Sequence, residues 1–183
     1  MKFTETPLQG AYLITPELLA DERGFFARSF CRHEFADHGL NVDFVQCNIS
    51  FNRMKGTLRG MHYQTSPHEE VKLVRCTAGA IYDVIIDLRA ESPTFMKWFA
   101  VELTAENHML LYIPERFGHG FQTLSDNTEL SYHHSACYSP ECSRGVRYDD
   151  PIVGIKWPLP VAVISISDQN HAPMDNSFKG IAP

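Results

Sequence analysis

Short runs of β-branched and aromatic residues, separated by turn-forming residues, constrain the fold of this chain more than any other sequence feature. The runs cover 11–14, 44–51, 57–63, 71–76, 80–88, 98–103, 109–113, 120–124, 130–134 and 161–166. Gly, Pro, Asn, Asp or Ser lies in the gaps, which is typical of all-β sandwiches and barrels rather than of alternating strands and helices. We therefore predict an all-β fold, a jelly roll of about a dozen short strands with a few short helices.

One segment, 32–38, has a clear helical pattern, with Phe35 among charged residues and Gly39 placed to end the helix. A further turn is expected after 149–151. The sequence contains no internal repeat, low-complexity tract or linker, so we predict one domain over 1–183, in which 169–183 forms a polar tail along the surface.

Composition limits the classes of partner. Hydrophobic residues make up 44% of the 183 and charged residues 21%, as in ordinary soluble globular proteins. Lys and Arg total 16 against 22 Asp and Glu, and this net charge of −6 argues against a nucleic-acid binder. No apolar run approaches the ~18 residues of a membrane span, so no membrane partner is expected. The N-terminus lacks an apolar secretion signal and the five cysteines form no CxxC pair, which favours a reducing cytoplasm.

Two segments carry a high density of chemically reactive side chains. The first is 56–64 with His62, and the second is 113–121 with His119. Each histidine stands beside glycines, which leave room for another group where bulky side chains normally fill a barrel interior. Either histidine alone is better explained as a core or rim residue, but two such segments in one chain favour a site.

A metal site lacks enough ligands in this sequence. A His-x-His pair is broken because Gln64 stands two places after His62, and His119 would be only a second ligand where three or four are needed. The adjacent His133 and His134 face opposite sides of a strand. We predict that the protein holds no metal, so a metal-dependent oxygenase is the less favoured alternative.

General acid–base chemistry remains after other mechanisms are excluded. The sequence has no GxSxG elbow, no GxxxxGK[ST] loop and no GxGxxG turn, so nucleophilic hydrolysis and dinucleotide chemistry lack support. A histidine can remove a proton, a tyrosine can return one, and a cation can hold an oxyanion. The candidates for these roles are His62, His119, Lys72, Asp83, Tyr132 and Asp168. Each of them singly has a structural explanation that is equally good.

Two motifs, LRGMHYQ at 58–64 and IPERFGHGF at 113–121, form a highly specific pair. Further segments match in the same order along the chain: 21–26, 44–48, 55–57, 72–75, 83–89, 92–94, 101–103 and 149–151. On these residues the chain resembles the dTDP-4-dehydrorhamnose 3,5-epimerase family of cupin-fold nucleotide-sugar epimerases.

The resemblance implies a cupin-type jelly roll without metal or cofactor, assembled as a homodimer that shares strands between subunits. The implied substrate is a nucleoside-diphosphate 4-keto-6-deoxyhexose, whose ketone acidifies the protons at C3 and C5. Inversion at these carbons would belong to the biosynthesis of rhamnose-type deoxysugars for surface polysaccharide.

The resemblance also implies roles for four residues in proton transfer. His62 would be the general base, oriented by Asp168, as a carboxylate orients imidazole in other dyads. Tyr132 would deliver a proton to the opposite face, and Lys72 would hold the enolate oxygen.

Substrate binding is implied for ten further residues. Arg59 and His119 would hold diphosphate or sugar oxygens, Asp83 would set the charge state of His119, and Gln46 and Asn48 would contact the nucleotide.

Other implied contacts lie outside the two central motifs. Arg23 would reach across from the partner subunit, and Phe26 belongs to the same matched segment. Glu141 would contact the ligand. Arg28 and Gln169 occupy binding positions at which the family often has an acidic and a basic residue, respectively, so the nucleobase and the sugar stay open.

Strand alternation places Arg59 and His62 on opposite faces of one strand, although both are expected to face the site. We therefore predict a bulge or twist at Gly60. The alternatives are an epimerase that inverts one carbon, a relative specific for CDP- or GDP-sugars, and a sugar-binding cupin without catalysis.

Overall fold

The computed structural model describes residues 1–182 and contains thirteen strands and two short helices in them. The strands are β1 (Lys2–Glu5), β2 (Tyr12–Thr15), β3 (Leu19–Asp21), β4 (Gly24–Phe26), β5 (Gln46–Asn52), β6 (Leu58–Gln64), β7 (Lys72–Ala78), β8 (Ala80–Asp87), β9 (Trp98–Thr104), β10 (Leu110–Ile113), β11 (Phe117–Thr123), β12 (Thr128–His134) and β13 (Ser143–Gly145). The helices are α1 (Arg32–Asp37) and α2 (Ile166–Gln169). No helix within 1–182 is both long and apolar enough to cross a membrane.

The strands form two main antiparallel sheets. One sheet has six strands in the order β1-β2-β10-β7-β12-β5, and the other has five in the order β13-β6-β11-β8-β9. Strands β3 and β4 form a separate hairpin. Apart from β1–β2 and β8–β9, the neighbours within each sheet are not consecutive in the chain, as in jelly rolls. The predicted all-β, cupin-type jelly roll is therefore confirmed.

Strand β8 shows how the sequence selects this packing. Ile81 and Ile85 point into the main core between the sheets, whereas Val84 and Ile86 belong to a second buried cluster on the other face. Residues of the C-terminal tail cover that second cluster. Since both faces of β8 are buried, the strand is apolar at nearly every position. Asp83 shares the inner face with the two isoleucines and is fully buried there.

The predicted helix is confirmed as α1, and Gly39 follows it with a φ of +69°. The predicted strand at 161–166 is wrong. This segment contributes only one isolated bridge, from Val163 to Thr57, before α2 begins. The Ser165 side chain accepts a hydrogen bond from the Asp168 backbone and so caps α2, which ends the extended conformation.

The predicted irregularity at Gly60 is confirmed. Two residues lie between Arg59 and His62, whereas only one lies between their partners on β11, Phe121 and His119. Gly60 has a φ of +120°, and a Cβ there would lie 2.8 Å from the His119 carbonyl oxygen. The extra residue turns the strand, so that Arg59 and His62 line the same cavity.

Candidate active site

A cavity of about 860 Å³ opens between the two sheets, a size usual for small-molecule sites. Side chains from β5, β7 and β12 form one wall, and side chains from β6 and β11 form the opposite wall. Seven of the predicted site residues line it: Gln46, Asn48, Arg59, His62, Lys72, His119 and Tyr132. Residues up to 86 positions apart in sequence are thereby brought into one cavity.

His62 forms a hydrogen-bonded pair with Asp168. The His62 Nε2 atom lies 2.8 Å from Asp168 Oδ1, and the Gly60 backbone N–H donates to Asp168 Oδ2 at 3.0 Å. An ionised carboxylate only accepts, so Nε2 carries the proton and Nδ1 is left as the basic nitrogen. The His62 side chain is 45% exposed while that of Asp168 is buried, so the pair presents its imidazole to the cavity.

Asp168 remains ionised in this pair because its pKa is low. Burial would raise the pKa of the carboxyl, but the hydrogen bonds from His62 and Gly60 outweigh it and lower the pKa to about 2. The pair therefore contributes stability above the ordinary carboxyl pKa, and this contribution is lost only as the pH falls towards 2.

His119 on β11 has a similar carboxylate partner in Asp83. The His119 Nε2 and Asp83 Oδ1 atoms are 2.5 Å apart, and both residues are buried. This contact satisfies the need of the buried carboxylate for a partner. The second carboxylate oxygen of Asp83, Oδ2, has no hydrogen-bond partner within the described residues.

Tyr132 extends from the six-stranded sheet towards the same space. Its ring meets that of His119 edge to face, with centroids 5.9 Å apart. Burial, together with the charge of Asp83, raises the pKa of Tyr132 well above its ordinary value. The phenol is therefore protonated near neutral pH, the form that can donate a proton.

Two cations lie in the cavity of this acidic protein. The Lys72 Nζ atom is buried and donates to the His62 carbonyl oxygen at 3.2 Å. The Arg59 Nε atom donates to the Asn52 side chain at 2.7 Å. A local positive charge of this kind attracts an anionic ligand even when the net charge is negative.

The edge strand β5 supplies the polar end of the cavity. The Gln46 amide donates to Asn48 at 3.3 Å, and its oxygen accepts from the Tyr138 backbone N–H at 3.0 Å. These side chains present donors and acceptors at the open edge of the six-stranded sheet.

Six of the predicted substrate-binding residues do not line this cavity: Asp83, the hydrogen-bond partner of His119, and five others. Arg23 and Phe26 stand on the exposed β3–β4 hairpin, and Phe26 is 75% exposed. Arg28 forms an ion pair with α1, and Glu141 and Gln169 are exposed near β13 and on α2. None of the five lines the cavity of its own chain within 1–182.

The residues of the cavity wall that sequence reasoning missed include Glu70, His134 and His171. Alternation gives a signal for the first two, because Glu70 lies two residues before Lys72 and His134 two residues after Tyr132. Nothing in the sequence indicates His171, whose ring centroid is 6.0 Å from that of His62.

His171 also bears on metal binding. Burial lowers its pKa, and the neighbouring His62 lowers it further. His62, Asp168 and His171 each offer a ligand atom within 4.8 Å of the others, so they form the one group within 1–182 that has the donors for a metal ion. The absence of a metal stays a prediction.

The antiparallel jelly roll and its cavity define a cupin-type protein with a site for acid–base chemistry. The sequence model of a family described as dTDP-4-dehydrorhamnose 3,5-epimerase matches residues 5–176. The chain belongs to this family.

Individual relatives cover nearly the whole chain. A dTDP-4-dehydrorhamnose 3,5-epimerase of Methanothermobacter thermautotrophicus is 43% identical over 176 residues, which are 94% of each chain. The crystal structure of the enzyme of the same name from Elizabethkingia anophelis NUHP1 matches with a TM-score of 0.93 and 39% identity, over 97% of this chain and 98% of that one. A 3,5-epimerase from Legionella pneumophila Philadelphia 1, solved in complex with dTDP-4-keto-L-rhamnose, matches with a TM-score of 0.85 and 39% identity. The match covers 91% of this chain and 89% of that one.

Proposed function

We propose that this protein is an epimerase that inverts C3 and C5 of a dTDP-linked 4-keto-6-deoxyhexose, in the biosynthesis of dTDP-rhamnose. One observation carries the proposal: an imidazole paired with a buried carboxylate and a protonated phenol enter one cavity from opposite walls. An inversion by proton transfer requires a base on one face of a carbon and an acid on the other. The names of the relatives support the substrate class.

The proposed reaction proceeds in two proton transfers at each carbon. His62 Nδ1 removes a proton from the carbon beside the 4-ketone. The electron pair of the C–H bond forms a carbon–carbon double bond to C4, and the π pair of the carbonyl moves to the ketone oxygen to give an enolate. Lys72 stabilises that oxygen, since a fixed cation in a buried site interacts most strongly when charge develops. Tyr132 then donates its proton to the other face of the carbon, and the ketone is restored.

The remaining cavity residues are proposed to bind the substrate. Arg59 and His119 hold diphosphate or sugar oxygens, and the carboxylate of Asp83 fixes the ring of His119. Gln46 and Asn48 contact the nucleotide at the open edge of the sheet.

The exposed residues are proposed to act between two subunits of a cytoplasmic homodimer, each a single domain. The β3–β4 hairpin exposes Leu19 and Phe26, and β5 exposes Ile49 and Phe51 in the lining of the cavity, so apolar surface is available for contact with a second subunit. In a dimer that shares strands, Arg23 reaches the site of the partner.

The experiment is incubation of the purified protein with the dTDP-linked 4-keto-6-deoxyhexose in D₂O, followed by NMR of the product. We expect one solvent deuterium at C3 and one at C5, and activity that persists after treatment with a chelator. Deuterium at one carbon only would show a single-carbon epimerase, and binding without exchange would show a sugar-binding cupin. Parallel incubations with CDP- and GDP-linked sugars test the nucleotide, and preference for either would contradict the proposed substrate.

A further inference from the structure

His134 and Glu70 lie in the cavity wall beside Lys72, and the proposed reaction gives them no role. The antiparallel register of β7 and β12 sets His134 directly opposite Lys72. An ammonium and an imidazole N–H in such a cross-strand pair both donate hydrogen bonds, so an anion between them can accept from each. Glu70 supplies that anion, because its carboxylate contacts Lys72 Nζ at 3.1 Å and His134 Nδ1 at 2.7 Å.

The Glu70 carboxylate is charged in spite of its burial. Burial would raise its pKa, but the hydrogen bond from His134 and the charge of Lys72 outweigh this and lower it. The Lys72 ammonium is consequently held at two points, by the Glu70 carboxylate and by the His62 carbonyl oxygen at 3.2 Å. A cation with two fixed contacts has little freedom to leave the position in which it meets an enolate oxygen.

Both ring nitrogens of His134 are engaged within the protein. Nδ1 donates to Glu70, and Nε2 lies 3.3 Å from the Asn48 amide nitrogen, from which it accepts. The ring therefore has neither a free base for the substrate nor a spare proton to give, and its contribution is to position other groups.

His134 also contacts the proposed proton donor. Tyr132 and His134 lie two residues apart on β12 and face the same side, and their rings stack with centroids 5.7 Å apart and planes 15° apart. The ring of His119 meets Tyr132 from another direction. The orientation of the phenol is thus set between two imidazoles.

We propose that Glu70 and His134 are positioning residues, which hold the Lys72 ammonium and the Tyr132 phenol in one fixed arrangement on the same wall of the cavity. This inference rests on the proposed function, in which Lys72 stabilises the enolate and Tyr132 returns the proton. Glu70 contacts Lys72, and His134 contacts both Glu70 and Tyr132.

Two substitutions at His134 separate its hydrogen bond from its ring. His134→Asn keeps an amide donor towards Glu70 but removes the stacked ring, so we expect the ratio of deuterium exchange to net inversion to rise about 10-fold. His134→Phe keeps the ring but loses both hydrogen bonds, so exchange and inversion should fall together, about 10-fold, at an unchanged ratio. In both variants KM should stay within about twofold of the wild type, because His134 itself is not proposed to bind the substrate.

Glu70→Gln tests the link to Lys72, with Glu69→Gln outside the cavity lining as the matched control. We expect Glu70→Gln to lower kcat about 10- to 100-fold at unchanged KM and unchanged melting temperature, and Glu69→Gln to match the wild type. Wild-type kcat and exchange ratio in all the variants, or a loss of kcat only in parallel with lost folding, would overturn the inference. If the wild type still exchanges deuterium at C3 and C5 in the same assay, the proposed function stands although this inference is overturned. If the wild type shows no exchange, the proposed function itself is overturned.

Discussion

His62→Ala is expected to lower kcat by about 10²- to 10⁴-fold, the usual contribution of a general base. The reason is that the His62 imidazole is the basic group that Asp168 fixes at 2.8 Å in the cavity wall. Without it, no proton leaves the carbon beside the ketone, and solvent deuterium no longer enters at C3 or C5. The measurement is deuterium uptake followed by NMR, alongside the rate of product formation.

The control for this variant is His33→Ala. His33 is exposed on α1 and does not line the cavity, so its removal should leave uptake at the wild-type rate. The dTDP affinity of His62→Ala should also match the wild type, because the nucleotide end of the cavity is made by β5. Deuterium uptake at the wild-type rate without His62 would show that another group is the base.

Tyr132→Phe is expected to separate exchange from inversion. The His62–Asp168 pair stays intact, so a proton can still leave and return on the same face, and deuterium still enters. Net inversion should fall about 10²- to 10⁴-fold, because the opposite wall then lacks its proton donor. The measurement is the ratio of deuterium in recovered substrate to deuterium in the inverted product.

Tyr12→Phe serves as the control for the loss of a phenol. Tyr12 lies on β2, outside the cavity lining, and its hydroxyl contacts Glu5 at 3.4 Å. Its removal should change neither exchange nor inversion. If Tyr132→Phe inverts the substrate as fast as the wild type does, the proton comes from another group.

The sequence predicts the two-sheet fold well because the strands are short, apolar and clearly separated by turns. Asp83 illustrates why local patterns suffice there, since its position within the apolar run 81–86 predicts that it is buried before any tertiary contact is known. The run at 161–166 illustrates the limit. Its apolar residues are typical of a strand, but the segment makes only the isolated bridge from Val163 to Thr57, and the cap at Ser165 starts a helix instead.

The contacts within the site are harder to predict from the sequence, because the residues that pair are distant from each other in the chain. His62 and Asp168 are 106 positions apart, and only the family resemblance joins them before the structure does. The contact between Glu70 and His134 depends on the register of β7 against β12, which no local pattern gives. Arg23 does not line the cavity of its own chain, so its place at a site stays a proposal.

A crystal structure with a bound dTDP-linked 6-deoxyhexose tests most directly whether one ring is held between a base and an acid. The sugar should lie between the two sheets, with His62 Nδ1 about 3–3.5 Å from C3 or C5 on one face and the Tyr132 hydroxyl on the other. A sugar ring seated outside the space between these two side chains, or with both on the same face, would contradict the proposed inversion.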